Sequence, residues 1–243
     1  VKETIMSSLR ECAQEIGAVV RAGRHEGLSG QRSSQYHLDV VADEIALRIL
    51  HGAGFRVVSE ESGVSGSGEY TVVVDPIDGS TNCDHGVPFY ATSLAVLRDT
   101  ELVAALVMNQ ATETVYEAEL GSGAQRDGQS IKGSGQRDFA EAIVSFSGLP
   151  QRYLGWAQYR SLGAASLEIC LVADGSLDVF TVAHNSTLNP WDYLGGLLVA
   201  REAKVLVDEL NDEELVTTER VRRRPVFAAT DELLSHVRNA ETF

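Results

Sequence analysis

Cysteine is scarce in this chain of 243 residues: there are three, Cys12, Cys83 and Cys170, far apart and odd in number. No Cys-x-x-Cys pair occurs, so neither a zinc site nor a disulfide framework is suggested, and a reduced cytoplasm is the expected home. Long apolar runs are missing as well. Nothing reaches the ~20 residues of a membrane helix, and no signal-peptide pattern is present. The first residue is Val rather than Met, which leaves a targeting segment ahead of it open. Positive charge is in short supply: 20 Lys and Arg face 35 Asp and Glu, a formal net charge of −15. Such a chain repels nucleic acid and anionic membranes, so neither is an expected partner. No Gly-Lys-Ser/Thr occurs, which excludes a P-loop. Repeats and low-complexity segments are also absent.

What is present is an ordinary globular composition, 44% hydrophobic and 23% charged. The length suits one compact unit or two intimate halves. The most informative stretch is Val72-Val73-Val74-Asp75-Pro76-Ile77-Asp78-Gly79-Ser80-Thr81-Asn82. Its β-branched start reads as a buried strand, and Pro76, which has no N–H to give, is expected to end the ladder. Two carboxylates then leave one strand end together, followed by small residues suited to a turn that exposes backbone N–H groups. A hard cation and an oxyanion can both sit at such a place. Asp-x-x-Asp-Gly lacks the alternate-position ligands of an EF-hand loop. The extra residue between the two aspartates argues against an aspartyl-nucleophile phosphatase.

Along the chain, Ile5, Leu9, Cys12, Ile16, Val19 and Val20 recur at helical spacing, giving an amphipathic helix over about the first 24 residues. Gly27 to Ser34 is a Gly/Ser/polar loop. Ala42, Ile45, Ala46, Ile49 and Leu50 form a second helix with Asp43 in its first turn, where the helix dipole favours a carboxylate. Arg56 to Val58 is a short strand that delivers Glu60 and Glu61, and Gly63 to Gly68 a Gly/Ser turn forming a lip over the site. His85 reads as a loop residue facing solvent. Ala91 to Leu97, Glu101 to Met108 and Thr114 to Leu120 suggest an antiparallel meander. After about Ala140, strands (Ile143 to Phe146, Leu177 to Val182, Val226 to Ala229) alternate with helices (Leu162 to Val172, Tyr193 to Ala203, Glu232 to Val237). This is an α/β pattern. The expected organisation is an N-terminal α+β half over 1–140, with an antiparallel sheet and the Asp75–Asn82 stretch, and a C-terminal α/β half over 141–243. Asn211 to Arg224, ending in three arginines, reads as a surface excursion.

Asp75-Pro76-Ile77-Asp78-Gly79-Ser80-Thr81-Asn82 resembles the signature of the inositol monophosphatase family, the magnesium-dependent, lithium-sensitive phosphomonoesterases. Ser59-Glu60-Glu61-Ser62 before it, and Asn189-Pro190-Trp191-Asp192 with Leu194-Gly195-Gly196 late in the chain, stand in the family's order. The similarity runs from about Tyr36 to Ala229. It implies a layered αβαβα sandwich of the inositol monophosphatase/fructose-1,6-bisphosphatase type, and commonly a homodimer. By alignment, Glu60, Asp75, the Ile77 carbonyl, Asp78 and Asp192 are the metal ligands for two or three magnesium ions. Their oxygen-only chemistry agrees with a hard cation.

The expected chemistry follows from this set. The Gly79, Ser80 and Thr81 N–H groups hold phosphate oxygens, while Glu60 and Ser80, the latter linked to Asp43, orient and deprotonate the attacking water. No covalent phosphoenzyme is needed. Substrate contacts are expected from Asp78, Gly163, Ala164, Ala165 and Asp192. The substrate is a small sugar or polyol phosphate of the inositol monophosphate kind. Histidinol phosphate, adenosine 3′,5′-bisphosphate and fructose 1,6-bisphosphate are the alternatives, and a non-catalytic metal- or phosphate-binding protein the remote one. Ala42 stands for the family's Thr before Asp43, a modest departure, and Ser80 for a Thr, where either hydroxyl can orient water. Other departures bear on substrate choice: Ala164 stands for a Ser or Thr, and Ala203-Lys204 replaces a Gly-Gly. Ser147 to Arg160 is short, and Thr181 to Asn189 is long and lacks the Glu that binds sugar hydroxyls in the inositol enzymes.

Overall fold

The computed structural model describes residues 2–23, 27–30 and 35–241. Among these residues, two sheets and six α-helices alternate as five layers. The outermost layer holds α1 (Lys2–Ala22) and α2 (His37–Gly52). Arg24, at the expected end of the first helix, and residues 31–34 of the expected loop lie outside the described residues. The acid in the first turn of α2 is Asp39, not Asp43, because the helix begins five residues earlier than the apolar spacing suggests.

The first sheet has eight strands: β1 (Arg56–Ser59), β2 (Gly63–Ser65), β3 (Tyr70–Asp78), β4 (Ala91–Arg98), β5 (Glu101–Asn109), β6 (Val115–Glu119), β7 (Gly123–Arg126) and β8 (Gln129–Ser130). Their order is β2-β1-β3-β4-β5-β6-β7-β8. The meander is antiparallel as expected, but β1 runs parallel to β3, with Ser59 opposite Val74. That pairing brings the start of the Glu60-Glu61 segment alongside Asp75. The first half of the expected turn at Gly63 to Gly68 is instead strand β2, an edge hairpin partner of β1, and only 66–68 lie outside regular structure.

Pro76 does not end β3. The strand passes through it with a bulge, Asp75 pairing with Ser93 and Asp78 with Ala91. The missing N–H is thus absorbed by irregular pairing. Thr92 Oγ1 donates to the Pro76 carbonyl at 2.9 Å, and Gln110 Nε2 donates to Thr92 Oγ1 at 2.8 Å and to the Ala13 carbonyl at 2.8 Å. A buried chain of hydrogen bonds therefore ties α1 to the turn that carries the aspartates. The six-residue helix α3 (Ser80–His85) follows.

After a 3-10 turn at Phe139–Glu141, where the proposed 140/141 division falls, come β9 (Ile143–Ser147), β10 (Gln158–Arg160), α4 (Ala165–Ala173), β11 (Val179–Val182), α5 (Pro190–Glu202), β12 (Leu206–Glu209), β13 (Pro225–Ala228) and α6 (Asp231–Glu241). The second sheet runs β10-β9-β11-β13-β12, parallel among the first three strands and antiparallel at β13 and β12.

Three apolar clusters fix the layers. Leu9, Ile16 and Leu50 pack on one face of the first sheet, through Val72 and Leu106. Leu167, Ile169, Leu194 and Leu197 of α4 and α5 lie between the sheets, against Val73 and Val107 on one side and Phe180 and Phe227 on the other. Leu233 and Val237 of α6 cover the far face with Val144 and Val179. This is the expected layered αβαβα sandwich. Among the described residues no helix is long and apolar enough to cross a membrane.

Candidate active site

Three segments far apart in sequence meet at the middle layer. Glu60 follows β1, with its N–H donating to the Val74 carbonyl at 3.1 Å. Asp75 ends the regular part of β3. Asp192 sits in the first turn of α5, where Asn189 caps the helix, Pro190 takes the first helical position, and the Asn189 N–H donates to the Asp192 carboxylate at 2.7 Å. One carboxylate oxygen from each of Glu60, Asp75 and Asp192 lies within 4.8 Å of the others, a spacing that one cation can bridge. Burial, and then the neighbouring Glu60, pushes both Asp75 and Asp192 well above the usual carboxylate range. Like charges this close and this dry repel strongly unless protons or a cation neutralise them.

Asp78 borders this trio but faces a different group. Its carboxylate accepts from the Ala165 N–H at 3.2 Å, the Ser166 N–H at 2.7 Å and Ser166 Oγ at 2.5 Å, so it caps α4. Burial raises it to about 7, against those hydrogen bonds. Ile77 lies between the aspartates in the bulge, its side chain in the core under α2.

Gly79 starts α3 at φ +84, and a Cβ there would lie 2.9 Å from the Gly163 carbonyl and 3.1 Å from Ala164 Cβ. Only glycine satisfies both demands. Ser80 and Thr81 follow in the first turn of α3, and Tyr36 Oη reaches Thr81 Oγ1 at 3.3 Å. Asn82 Nδ2 donates to the Leu162 and Phe89 carbonyls, each at 2.8 Å, and staples the signature helix to the loop before α4. A cavity of about 250 Å³ opens here, lined by Asp78, Gly163, Ala164, Ala165, Glu168 and Asp192 among others. The expected substrate-contact residues therefore share one cavity with two of the expected ligands.

Asp43 is a correction. Its hydrogen bond is from Ser59 Oγ, not from Ser80; Ser59 Oγ also accepts the Glu61 N–H at 3.1 Å. Asp43 thus holds the turn that presents Glu60 and Glu61. The arginine-rich excursion lies mostly at the surface, as expected, but its end is anchored. Arg224 is buried and donates to the Val182 carbonyl at 3.0 Å, Arg222 reaches Thr187 Oγ1 at 3.0 Å, and Leu188 bridges Arg223. The excursion braces the segment leading into Asp192, and Arg220 stacks over the buried Trp191 ring at 5.3 Å. His85 is exposed, as expected, but it is the last residue of the helix α3 rather than a loop residue.

Sequence reasoning missed three residues. Asp39 is buried and raised to about 7, first by burial, with Glu61, Glu60 and Asp84 adding. Its position one helical turn before Asp43 was the available signal. Glu168 is 2% exposed and accepts from Ser145 Oγ, from the Leu162 N–H at 3.0 Å and from the Gly163 N–H at 3.3 Å, shaping the cavity wall. Ser166, which holds Asp78, had no distinguishing pattern.

The sequence model of the inositol monophosphatase family matches residues 2–241. The chain belongs to the inositol monophosphatase family. It is a phosphatase of that family, a phosphoric monoester hydrolase. A fructose-1,6-bisphosphatase/inositol-1-monophosphatase of Thermococcus kodakarensis is 34% identical over 233 residues, covering 93% of this chain and 90% of the relative. An inositol-1-monophosphatase of Mesorhizobium japonicum is 29% identical over 261 residues, covering 96% and 95%. A solved inositol monophosphatase-fructose 1,6-bisphosphatase superposes with a TM-score of 0.85 at 28% identity, covering 96% of this chain and 98% of the other.

Proposed function

We propose that this family member is a magnesium-dependent phosphomonoesterase that hydrolyses a small sugar or polyol phosphate of the inositol monophosphate kind. The observation that carries this reading is the convergence of Glu60, Asp75 and Asp192 beside a cavity whose wall is the start of α4. The donor set fits magnesium: all oxygen, with no His or Cys in the trio, and too much buried negative charge to stand alone. Glu60, Asp75, the Ile77 carbonyl, Asp78 and Asp192 would hold two or three ions. When bound, these supply positive charge to the phosphoryl group and lower the pKa of a water.

The chain's own residues supply position. Gly79, Ser80 and Thr81 offer backbone N–H groups to phosphate oxygens. Glu60 accepts the proton of the attacking water, and the Ser80 hydroxyl orients it. Asp43 acts at one remove, through Ser59, by fixing the Glu60 turn. Gly163, Ala164 and Ala165 line the side on which the alcohol portion rests, with Asp78 and Asp192 facing it. Fructose 1,6-bisphosphate is the second reading, supported by the name of the Thermococcus relative. A cytoplasmic homodimer sensitive to lithium belongs to the same proposal.

The test is phosphate release from p-nitrophenyl phosphate, with and without magnesium, by the wild type and Asp78→Asn. Wild-type turnover should require magnesium, and the variant should lose about a hundredfold or more. Wild-type rates in the variant would remove Asp78 from the site.

A further inference from the structure

Thr92 on β4 and Gln110, just past the end of β5, are polar side chains with no exposure, and the proposed reaction uses neither. Burying a hydroxyl and an amide is costly unless each is fully hydrogen-bonded. These two are. Gln110 Nε2 donates to the Ala13 carbonyl of α1 and to Thr92 Oγ1, each at 2.8 Å, which engages both of its protons. Arg21 Nη1 approaches Gln110 Oε1 at 3.4 Å, and the Gln110 N–H donates to the Tyr90 carbonyl at 3.0 Å. Helix α1 leaves room for the amide because residue 17 is glycine, where a Cβ would overlap Gln110 Oε1. Thr92 Oγ1, having accepted from Gln110, gives its own proton to the Pro76 carbonyl at 2.9 Å.

The series does not stop at that carbonyl. It belongs to the same planar peptide unit as the Ile77 N–H, and this N–H donates to Asp75 Oδ1 at 3.1 Å. One rigid group is therefore held at both ends, by Thr92 on its oxygen and by Asp75 on its nitrogen. Thr92 sets the tilt of the plane, the plane aims the N–H, and the N–H fixes one oxygen of the Asp75 carboxyl. Regular ladder pairing cannot do this, because the register shifts between Asp75 and Asp78. Hydrogen bonds in such a series also polarise one another, each strengthening the next.

We propose that Thr92 and Gln110 are positioning residues for the ion site: through the Pro76–Ile77 peptide they hold the Asp75 carboxyl where it can share an ion with Glu60 and Asp192. The packing of α1 on the first sheet then sets metal affinity, and the inference rests on the metal-dependent phosphatase reading given above.

Manganese binding to the metal-free protein tests it, read from the electron paramagnetic resonance of the free ion, with wild type, T92V, T92S, Q110M and V237A. T92V keeps the shape of the side chain and loses the hydroxyl. It should raise the Kd for manganese about tenfold or more, the usual effect of removing a group that orients a ligand, and Q110M should raise it in the same direction. T92S keeps the hydroxyl and should bind within about threefold of wild type. V237A opens a cavity under α6 on the far face, so it should lower the denaturation midpoint without moving the Kd. The magnesium concentration for half-maximal phosphate release should shift as the Kd does, with kcat at saturating magnesium unchanged. An unchanged Kd in T92V, a Kd raised as much in V237A, or weak binding by T92S overturns the proposal. Should T92V fail to fold, Q110M against V237A decides by the same comparison. Wild type that binds manganese but hydrolyses no phosphate ester defeats the phosphatase reading alone; wild type that binds no manganese defeats both.

Discussion

Asp78 is claimed by two tasks at once. Its carboxyl caps α4 through Ala165 and Ser166 and also lies close enough to Glu60, Asp75 and Asp192 for their charges to act on one another. The four aspartates Asp39, Asp75, Asp78 and Asp192 are all raised, first of all by burial, and for Asp39 and Asp78 to about 7. A carboxyl whose folded pKa lies above its unfolded value contributes stability that is present below pH ~4 and lost as pH rises through the folded pKa. Metal-free protein should therefore lose stability between about pH 4 and 7, by on the order of a few kcal/mol. Magnesium competes with those protons, so the rise in Tm that it brings should grow from pH 5 to pH 8, reaching on the order of 5–10 °C. Thermal scans with EDTA or magnesium across that range measure it. A magnesium effect independent of pH would mean that these carboxyls are not where the ion binds.

At the scale of elements, α4 and α5 are held close enough that packing and site geometry cannot vary separately. A Cβ at Gly196 would fall 2.8 Å from Ile169 Cγ2 and 3.1 Å from the Ser166 carbonyl. Gly196→Ala should cost about 1–3 kcal/mol in chemical denaturation through overpacking. It should also lower activity, because Ser166 holds Asp78. An unchanged denaturation midpoint would show that the two helices can part without strain. The same elements show what the sequence disclosed. The β-branched run of β3 and the turn-separated runs of β4 to β6 are local signals, and the structure has strands there; α5 begins at Pro190, three residues before the Tyr193 that the apolar spacing suggests. Long-range pairings left no local mark. Neither the parallel β1–β3 pair nor the bulge at Pro76, with its Thr92 and Gln110 partners, has one. Asp43 bonding Ser59 rather than Ser80 is a matter of which strand lies over α2, which spacing does not encode. Short β10 and the early start of α2 were missed because neither carries an apolar period of its own.

For the molecule as a whole, the formal net charge of −15 opposes the approach of a phosphate ester, itself an anion. Screening should relieve that repulsion: with magnesium saturating, kcat/KM should rise a few-fold, roughly, as potassium chloride goes from 0.01 to 0.15 M, where the Debye length shortens to about 8 Å. Steady-state kinetics at fixed pH would show it. A monotonic fall over that range would mean that local positive charge already governs the encounter.

The central claim is that residues from three remote segments share one ion, and anomalous diffraction from crystals soaked in manganese tests it most directly. The account predicts a peak bonded to carboxylate oxygens of Glu60, Asp75 and Asp192, at roughly the 2.0–2.2 Å expected for a small hard cation. Manganese bound elsewhere, with this trio left without an ion, would contradict it.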